Sequence, residues 1–303
     1  MKTYLTTFKT FNSNVKLFLI GNAISSMGVA IYGLLFNLYL KNLGLGEAMI
    51  GKLISNTSFG IALTAIPAAF LIERFHVKHL LIFAMTLSSL FYGIQVLSHS
   101  HENLFSFGLL ASMCMAIFNI SIAPFYLRNS TPEQRMYLFT MNSCLGIFAQ
   151  FAGYLIGGFI PSLIKMISAN SDVLEVYKMS LLVSVFMIFI PSIFFLRITK
   201  VPIPKVKRDL FKSITERDWR VISKLTLPKL CLAFGAGLVI PFMNIYLKEK
   251  FSLNAEEIGL VFAGLQFFIF VGIFVTPWFM KRTTQLRFIL LTSIVSIPFM
   301  VSM

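Results

Sequence analysis

Neutral amides and hydroxyls inside long apolar runs are the side chains of this sequence best suited to bind a solute. Asn22, Ser25, Ser26 and Asn37 lie near one face of a single helix, and Tyr32 lies somewhat off that face. Together with many aromatic rings, such groups suit a neutral or amphipathic organic solute. The candidate residues of this kind are Asn22, Ser25, Ser26, Tyr32, Asn119, Asn142, Gln150 and Gln266. The alternative is that each amide only bonds a neighbouring helix, at about 0.6 kcal/mol on average.

Acidic residues are absent from the middle of these runs. All twelve Asp and Glu residues lie in connecting segments or close to the ends of the runs. A charge at the bilayer centre costs about 2.5–3.5 kcal/mol on insertion scales, so a carboxylate retained there usually marks a proton or ion pathway. The distribution of acids therefore argues against a carboxylate proton relay within this part of the chain.

Cysteine and histidine suggest little further chemistry. The three cysteines lie in apolar runs at spacings that fit no metal-ligand pattern, and such thiols are usually packing groups: Cys114, Cys144 and Cys231. The four histidines form two pairs in short connections, where a pairwise metal site is the alternative to ordinary loop histidines: His76, His79, His99 and His101. A membrane enzyme would need clustered His, Asp or Glu near an interface. We therefore predict no catalytic residue, no metal and no cofactor.

The composition and the apolar runs place these residues in a membrane protein. Apolar residues make up 57% of the 303 residues and charged residues 13%, against about 25% charge in soluble domains. A helix needs about 20 apolar residues to cross a bilayer. Nine runs qualify: 15–40, 49–72, 78–97, 103–127, 136–160, 176–198, 227–247, 256–280 and, approximately, 286–303. The first is too long for a cleaved signal peptide. We expect an all-α polytopic membrane protein.

The basic residues indicate the orientation of these helices. With the N-terminus in the cytoplasm, the inner segments hold twenty lysines and arginines and the outer segments hold six. This asymmetry is the positive-inside pattern of membrane proteins. The net charge of +14 is then a topology signal, so nucleic acid is not an expected partner. The sequence predicts a multi-pass protein of the plasma membrane, in contact with the lipid bilayer.

The longest polar stretch, at 197–224, divides the chain. It contains nine basic residues and two early prolines. The predicted organisation is an N-terminal six-helix half (1–198), a cytoplasmic basic linker (199–225) and an incomplete C-terminal half (226–303). An amphipathic segment around 210–222 would gain about 1 kcal/mol per basic residue at the anionic inner leaflet. A plain solvated linker is the other interpretation of this stretch.

An internal repeat relates the two sides of the linker. Residues 37–41 (Asn-Leu-Tyr-Leu-Lys) recur at 244–248 (Asn-Ile-Tyr-Leu-Lys), an offset of 207. Two further matches follow at an offset of 208: Ile50-Gly51 with Ile258-Gly259, and Glu73-Arg74 with Lys281-Arg282. Such constant spacing indicates a duplicated helical bundle, and six runs before the linker allow both halves the same orientation. Parallel halves are a known transporter plan, with the solute site at their interface.

The connection between the second and third runs resembles the signature of the major facilitator superfamily. It reads Ala-Phe-Leu-Ile-Glu-Arg-Phe-His-Val-Lys over residues 69–78, against the family pattern G-x-L-x-D-R-x-G-R-R. Leu71 and Arg74 match outright, while Glu73 and Lys78 match in charge; alanine and histidine replace the two glycines. Three further features agree with this family: an even number of runs before the linker, the basic middle loop and the repeat. Together with the motif they make the whole chain resemble the family.

The resemblance implies a cytoplasmic gate. In the family, the acid and the arginines of this loop help to latch the cytoplasmic side of the bundle. The predicted gate residues are Glu73, Arg74 and Lys78, with Lys281 and Arg282 at the weaker second-half copy. The alternative is that these charges only set the topology at helix ends. The helix that usually completes the latch would lie beyond Met303.

The resemblance also implies a fold and a function. The implied fold has a complete six-helix N-terminal half plus about three helices of the C-terminal half. In the family, spans one and four surround a central cavity and spans five and eight lie alongside it, so the resemblance places the polar candidates above in this cavity. The cavity is expected to lack one wall. The implied function is movement of a small-molecule substrate by alternating access, by a protein that we expect to be a monomer. A non-transporting scaffold or sensor on the same fold is the alternative.

Small residues along the fifth run predict close helix packing. Gly146, Gly153, Gly157 and Gly158 recur along this run, and Gly153 and Gly157 form a G-x-x-x-G spacing. Small side chains let helix backbones approach each other closely in a membrane.

Overall fold

Six long helices form the first half of the chain. The structure, a computed structural model, describes residues 8, 10–98, 100–168, 172–200, 219–280 and 285–301. Polar residues such as Asn12, Ser100 and Asp172 cap helix N-termini by accepting backbone N–H bonds. The six helices are α1 (Ser13–Asn42), α2 (Glu47–Arg74), α3 (Val77–Leu97), α4 (His101–Asn129), α5 (Pro132–Ile167) and α6 (Val173–Leu196).

The second half begins with a broken helix. Pro241 lies in a 3-10 turn, Ile240–Phe242, because proline lacks the N–H that would continue the α-helical ladder. The helices around and after the turn are α7 (Trp219–Val239), α8 (Met243–Phe251), α9 (Ala255–Met280) and α10 (Gln285–Val301). The seventh apolar run thus corresponds to α7, the turn and α8 together.

The predicted all-α membrane architecture is confirmed. Within the described residues, eight helices are long and apolar enough to cross a bilayer, and α10 covers the ninth predicted run. Exposed apolar side chains occur on every one of these helices, as expected for surfaces in contact with lipid. Helix α7 begins at Trp219, within the predicted linker, and residues 201–218 of that linker lie outside the described residues.

The first six helices form a bundle with an internal symmetry. Helix α1 packs mainly on α5 and α6, α4 packs mainly on α2 and α3, and α3 also packs on α6. Exchanging α1–α3 with α4–α6 converts the α1–α5 contact into the α2–α4 contact and the α1–α6 contact into the α3–α4 contact, and leaves the α3–α6 contact unchanged. Because consecutive helices alternate in direction, this exchange also inverts the orientation. The bundle is therefore an inverted repeat of three helices and three helices.

Aromatic rings from three helices pack together near the start of α1 and the ends of α4 and α6. The Phe18 ring of α1 lies 4.6 Å from Phe125 of α4 and 5.3 Å from Phe195 of α6, between ring centroids. A Cβ atom at Gly21 would lie 2.7 Å from the Phe195 ring, so glycine at this position lets α6 approach α1. This packing holds α1 in a fixed rotation, which decides the side chains that α1 presents elsewhere.

The second half contacts the first mainly through α9, which packs along α5. The closest approach involves Gly158 of α5 and Gly259 of α9. A Cβ atom at Gly158 would lie 2.9 Å from the Ala255 carbonyl oxygen, and one at Gly259 would lie 2.7 Å from the Tyr154 carbonyl oxygen. The two backbones are in direct contact, so a side chain at either position would separate the helices.

Candidate functional site

A cavity of about 350 Å³ lies between the first six helices and the break that separates α7 from α8. Its lining comes from α1 to α5, the 3-10 turn, α8 and α9. The volume is near the lower end of small-molecule pockets, about 300–1,000 Å³. Its described lining consists of apolar, aromatic, amide and hydroxyl groups, with no acidic or basic side chain among them. Such a lining favours a compact neutral solute, because an unpaired charge there would lose its hydration.

Two groups of aromatic rings face this cavity. On one side, the Tyr32 ring stacks on Phe36 at 4.8 Å and lies 4.6 Å from the Tyr92 ring, between centroids. On the other side, the Tyr154 ring of α5 lies 5.2 Å from the Phe262 ring of α9. Aromatic side chains offer large apolar area with few rotatable bonds. The cavity therefore presents rigid, flat apolar walls from both halves of the chain.

A chain of hydrogen bonds ends at the Tyr32 hydroxyl. The Gln95 side-chain N–H donates to the Leu104 carbonyl oxygen at 2.9 Å, and the Tyr32 hydroxyl donates to Gln95 Oε1, also at 2.9 Å. Gln95 is only 1% exposed. A Cβ atom at Gly108 would lie 2.5 Å from Gln95 Nε2, so the absence of a side chain there makes room for the amide.

Two asparagines at equivalent positions of the repeat close one end of the cavity. Asn37 donates to the Pro241 carbonyl at 2.7 Å and to Asn244 Oδ1 at 3.1 Å, while Asn244 donates to the Leu34 carbonyl at 3.0 Å. Asn37 and Asn244 are 207 residues apart, as are Leu34 and Pro241. The two bonds to backbone carbonyls are therefore equivalent under exchange of the halves. We name these two asparagines and their three hydrogen bonds the asparagine clamp.

Charged groups surround the clamp at the end of the bundle where α1 ends and α2 begins, which we call the outer end after the predicted orientation. Lys41 pairs with Glu47 at the start of α2 and with Glu249 near the end of α8. Lys248, the repeat counterpart of Lys41, lies 5.8 Å from the centroid of the Tyr177 ring of α6. Exposed ion pairs each contribute about 0–1 kcal/mol, so these contacts strengthen the closure only modestly.

The structure divides the predicted cavity residues between the cavity and helix contacts. Tyr32 lines the cavity, and the other seven do not belong to its described lining. Asn142 Oδ1 accepts bonds from Asn22 Nδ2 at 2.8 Å and from the Tyr126 hydroxyl at 2.6 Å, which joins α1, α4 and α5. Ser25 is buried beside this group on α1.

The remaining predicted cavity residues lie on α1, α4, α5 and α9. Gln266 of α9 donates to Gln150 of α5 at 2.9 Å, so this amide pair bonds the two halves together. Asn119 is exposed on α4, and Ser26 is partly buried on the α1 surface that faces Gly146. Contact of these four residues with a solute stays a prediction.

The predicted cytoplasmic gate residues lie at the end of α2 and the start of α3. Glu73 and Arg74 are exposed, and in the described part of the chain neither forms an ion pair. Lys78 donates to the Leu196 carbonyl at 2.7 Å, at the C-terminus of α6, where the helix dipole favours a cation. Lys281 and Arg282 lie outside the described residues. The gate role of all five stays a prediction.

A polar network that the sequence analysis missed ties the helices together at the opposite end of the bundle, which we call the inner end. The Asn14 side chain donates to Asn129 Oδ1 at 2.9 Å, after α1 begins and where α4 ends, and accepts from the Thr199 N–H at 2.9 Å. Arg128 donates to the Ile72 carbonyl at 3.3 Å. The ends of α1, α2, α4 and α6 are thereby bonded into one unit. A single asparagine at a helix end gives no sequence signal of such a role.

The glycines predicted for helix packing differ in their contacts. A Cβ atom at Gly153 would lie 2.6 Å from the Met27 carbonyl oxygen, and one at Gly157 would lie 3.1 Å from the Ile31 side chain. Both face α1. Gly146 has more room, because the nearest atom would be 3.8 Å away. Gly158 of the same run makes the close contact with α9.

The residues that complete the cavity carried only weak sequence signals. Gln95 is an amide in the last turn of the third run, and Asn244 appeared only as a match within the repeat. Tyr92 and Tyr154 lie in apolar runs rich in aromatic residues, where a tyrosine gives no particular signal. Their common location follows from contacts between distant segments.

Solved structures with a similar fold include membrane transporters. A bacterial homologue of the human lysosomal transporter Spinster, inward-facing and unoccupied, superposes with a TM-score of 0.68 and 15% identity, covering 89% of this chain and 62% of that one. Its inward-facing occupied form superposes with a TM-score of 0.69 and 16% identity, covering 90% of this chain and 62% of that one. A mutant of the nucleoside transporter NupG superposes with a TM-score of 0.64 and 15% identity, covering 89% of this chain and 69% of that one. This chain thus spans about three fifths of the length of the Spinster homologue.

The sequence comparison identifies the family. A search of curated protein sequences finds no significant match to this chain. The family model of the Major Facilitator Superfamily, in contrast, matches residues 18–303, which is nearly the whole chain. That match, the duplicated helical bundle and the cavity between the halves lead to one conclusion: the chain belongs to the Major Facilitator Superfamily.

Proposed function

We propose that this protein is a secondary transporter that moves a small neutral organic solute by alternating access through the cavity. Membership of the superfamily and similarity to transporter structures support the general function. The asparagine clamp is the observation that carries the mechanism. It closes the outer end of the cavity with bonds between α1 of the first half and the α8 region of the second.

The clamp suits a closure that must open repeatedly. Interhelical side-chain bonds in membranes average about 0.6 kcal/mol, so the three clamp bonds can break without unfolding the first half. That half is held together by the aromatic core around Phe18 and by the Asn14 network. Rocking one half against the other would part Asn37 from Asn244 and expose the cavity at the outer end. A solute that binds one arrangement better would shift this equilibrium.

The lining supports a neutral solute. The described lining residues provide amides, hydroxyls and aromatic rings, and the neighbouring acidic residues lie at helix ends or in connections. A charged solute would have to leave water without an opposite charge to receive it.

A reversible cross-link tests the mechanism. The protein is reconstituted in liposomes, and uptake of radiolabelled uridine, glucose and myo-inositol is measured. In a background without the native cysteines, Asn37→Cys and Asn244→Cys are joined by a short thiol-specific cross-linker. We expect uptake of at least one probe, loss of nearly all of it after cross-linking, and recovery on reduction.

The matched control joins Asn14→Cys to Asn129→Cys, a pair at 2.9 Å within the first half. Cross-linking there leaves the two halves free to move, so uptake should persist. Uptake that survives the Asn37–Asn244 cross-link would contradict the proposed closure, and absence of uptake for every probe would contradict transport of this solute class.

A further inference from the structure

We propose that the hydrogen-bond chain from Leu104 through Gln95 to Tyr32 makes the cavity selective for solutes that present an N–H or O–H donor to the Tyr32 oxygen. This inference rests on the proposed function, in that the solute occupies the cavity. It adds the class of solute and the residue that recognises it.

The direction of the chain follows from its first member. The Leu104 backbone carbonyl can only accept, so the amide face that it meets at 2.9 Å is the Gln95 NH₂ group. The Gln95 oxygen then points to Tyr32, and a carbonyl oxygen also only accepts. The Tyr32 hydroxyl must therefore donate its single hydrogen to Gln95. What it offers to the cavity is an oxygen with free lone pairs.

The surroundings keep the chain from reversing. A flipped Gln95 amide would place its oxygen against the Leu104 carbonyl oxygen, which leaves two buried acceptors facing each other without a donor. Gln95 is almost fully buried, and its NH₂ group fills the space above Gly108. Water is thus poorly placed to repair such a flip.

The Tyr32 ring is also fixed in position. It stacks on Phe36 and packs against Tyr92, so its hydroxyl cannot swing away from Gln95 without breaking both ring contacts. A donor on the solute gains a bond with this oxygen, whereas an ether or carbonyl at the same place meets lone-pair repulsion. A site built around a fixed polar group discriminates strongly against analogues that lack its partner. The expected solute is neutral and flat, with a hydroxyl or N–H on its edge.

Matched probes test this selectivity without requiring transport. Binding to the purified chain is measured by equilibrium dialysis for two pairs, phenol with anisole and uracil with 1,3-dimethyluracil. In each pair methylation removes the donor and leaves the ring. We expect the donor-bearing member to bind about tenfold more tightly, as one well-placed hydrogen bond would give.

The variant Tyr32→Phe removes the acceptor and should reduce the ratio within each pair to less than about twofold. Gln95→Leu, which frees the hydroxyl hydrogen, should also lower the ratio if Tyr32→Phe does not fold. The matched control is Tyr39→Phe, which removes a buried hydroxyl on the same helix that donates to the Val96 carbonyl at 3.0 Å, outside the cavity lining. It should keep the full ratio.

Three results would overturn the inference: equal binding within both pairs, no binding of either donor-bearing probe, or a ratio that persists in Tyr32→Phe. Selective binding without uptake would contradict the proposed transport and leave this inference standing. Uptake of neutral solutes with no donor selectivity would support the proposed transport and contradict this inference.

Discussion

Single polar residues in this protein serve two physical purposes. Tyr32 and Gln95 face the cavity, where their hydrogen bonds fix the geometry of a recognition surface. Asn22 and Asn142 bond across helices, where an amide stabilises packing in a medium without water. In the sequence the two kinds cannot be told apart, because both are isolated polar residues within apolar runs.

Asn142 provides a test at this scale. Because its Oδ1 accepts from both Asn22 and Tyr126, Asn142→Ala leaves two donors without their acceptor. We expect a loss of about 1–2 kcal/mol of stability, seen as a lower apparent unfolding temperature in detergent. Asn119→Ala, the same change at an exposed site, should have little effect. Equal effects of the two variants would show that the Asn142 bonds contribute nothing.

Among the helices, α5 connects the two halves. Gly153 and Gly157 pack it against α1 of its own half, whereas Gly158 packs it against α9 of the other. Gln150 adds a hydrogen bond to Gln266 along the second contact. The helix therefore has one face for each partner, and a residue's effect depends on the face it occupies.

Substitution of glycine by alanine should distinguish these faces. Gly158→Ala places a Cβ atom within 2.9 Å of the Ala255 carbonyl oxygen and should destabilise the contact between α5 and α9. Gly146→Ala meets its nearest atom at 3.8 Å and removes the flexibility of a glycine within a helix, so stability should stay equal or rise by up to about 1 kcal/mol. Both are measured by apparent unfolding temperature. A Gly158→Ala protein as stable as Gly146→Ala would contradict the close approach.

For the whole molecule, the outer end holds several polar contacts between the two halves, in addition to the Gln150–Gln266 bond between α5 and α9. The asparagine clamp forms the closure next to the cavity, and Lys41 adds a second contact by pairing with Glu249 of the other half. Lys41 also pairs with Glu47, which belongs to its own half. These two acids should therefore differ in their effect on opening, although they bind the same lysine.

Accessibility of the cavity tests this difference. Gly33 lines the cavity and has no atom within 4 Å of an added Cβ, so Gly33→Cys is a suitable reporter in a background without the native cysteines. With Glu249→Gln, labelling from the outer side by an impermeant maleimide should rise about two- to fivefold, since an exposed ion pair contributes up to about 1 kcal/mol. Glu47→Gln should change the rate less. A larger effect of Glu47→Gln would contradict the assigned role of Glu249.

The membrane class, the helix number and the duplication could be predicted from the sequence. Bilayer thickness sets the length of each apolar run, so the nine runs can be identified without knowledge of any tertiary contact. The repeat is visible because residues 37–41 and 244–248 kept their order and spacing. The family model over residues 18–303 agrees with the resemblance that the loop at 69–78 suggested.

Only the tertiary structure decided which polar groups face the cavity. In a helix surrounded by lipid and by other helices, all faces are apolar, so amphipathic periodicity does not reveal the inward face. Gln95 and Tyr32 are 63 residues apart and Asn37 and Asn244 are 207 apart, and they meet because of helix rotation and packing. The sequence by itself determined that amides and hydroxyls would be the polar groups within the membrane. Their division into recognition, clamp and packing depended on contacts between segments far apart in the chain.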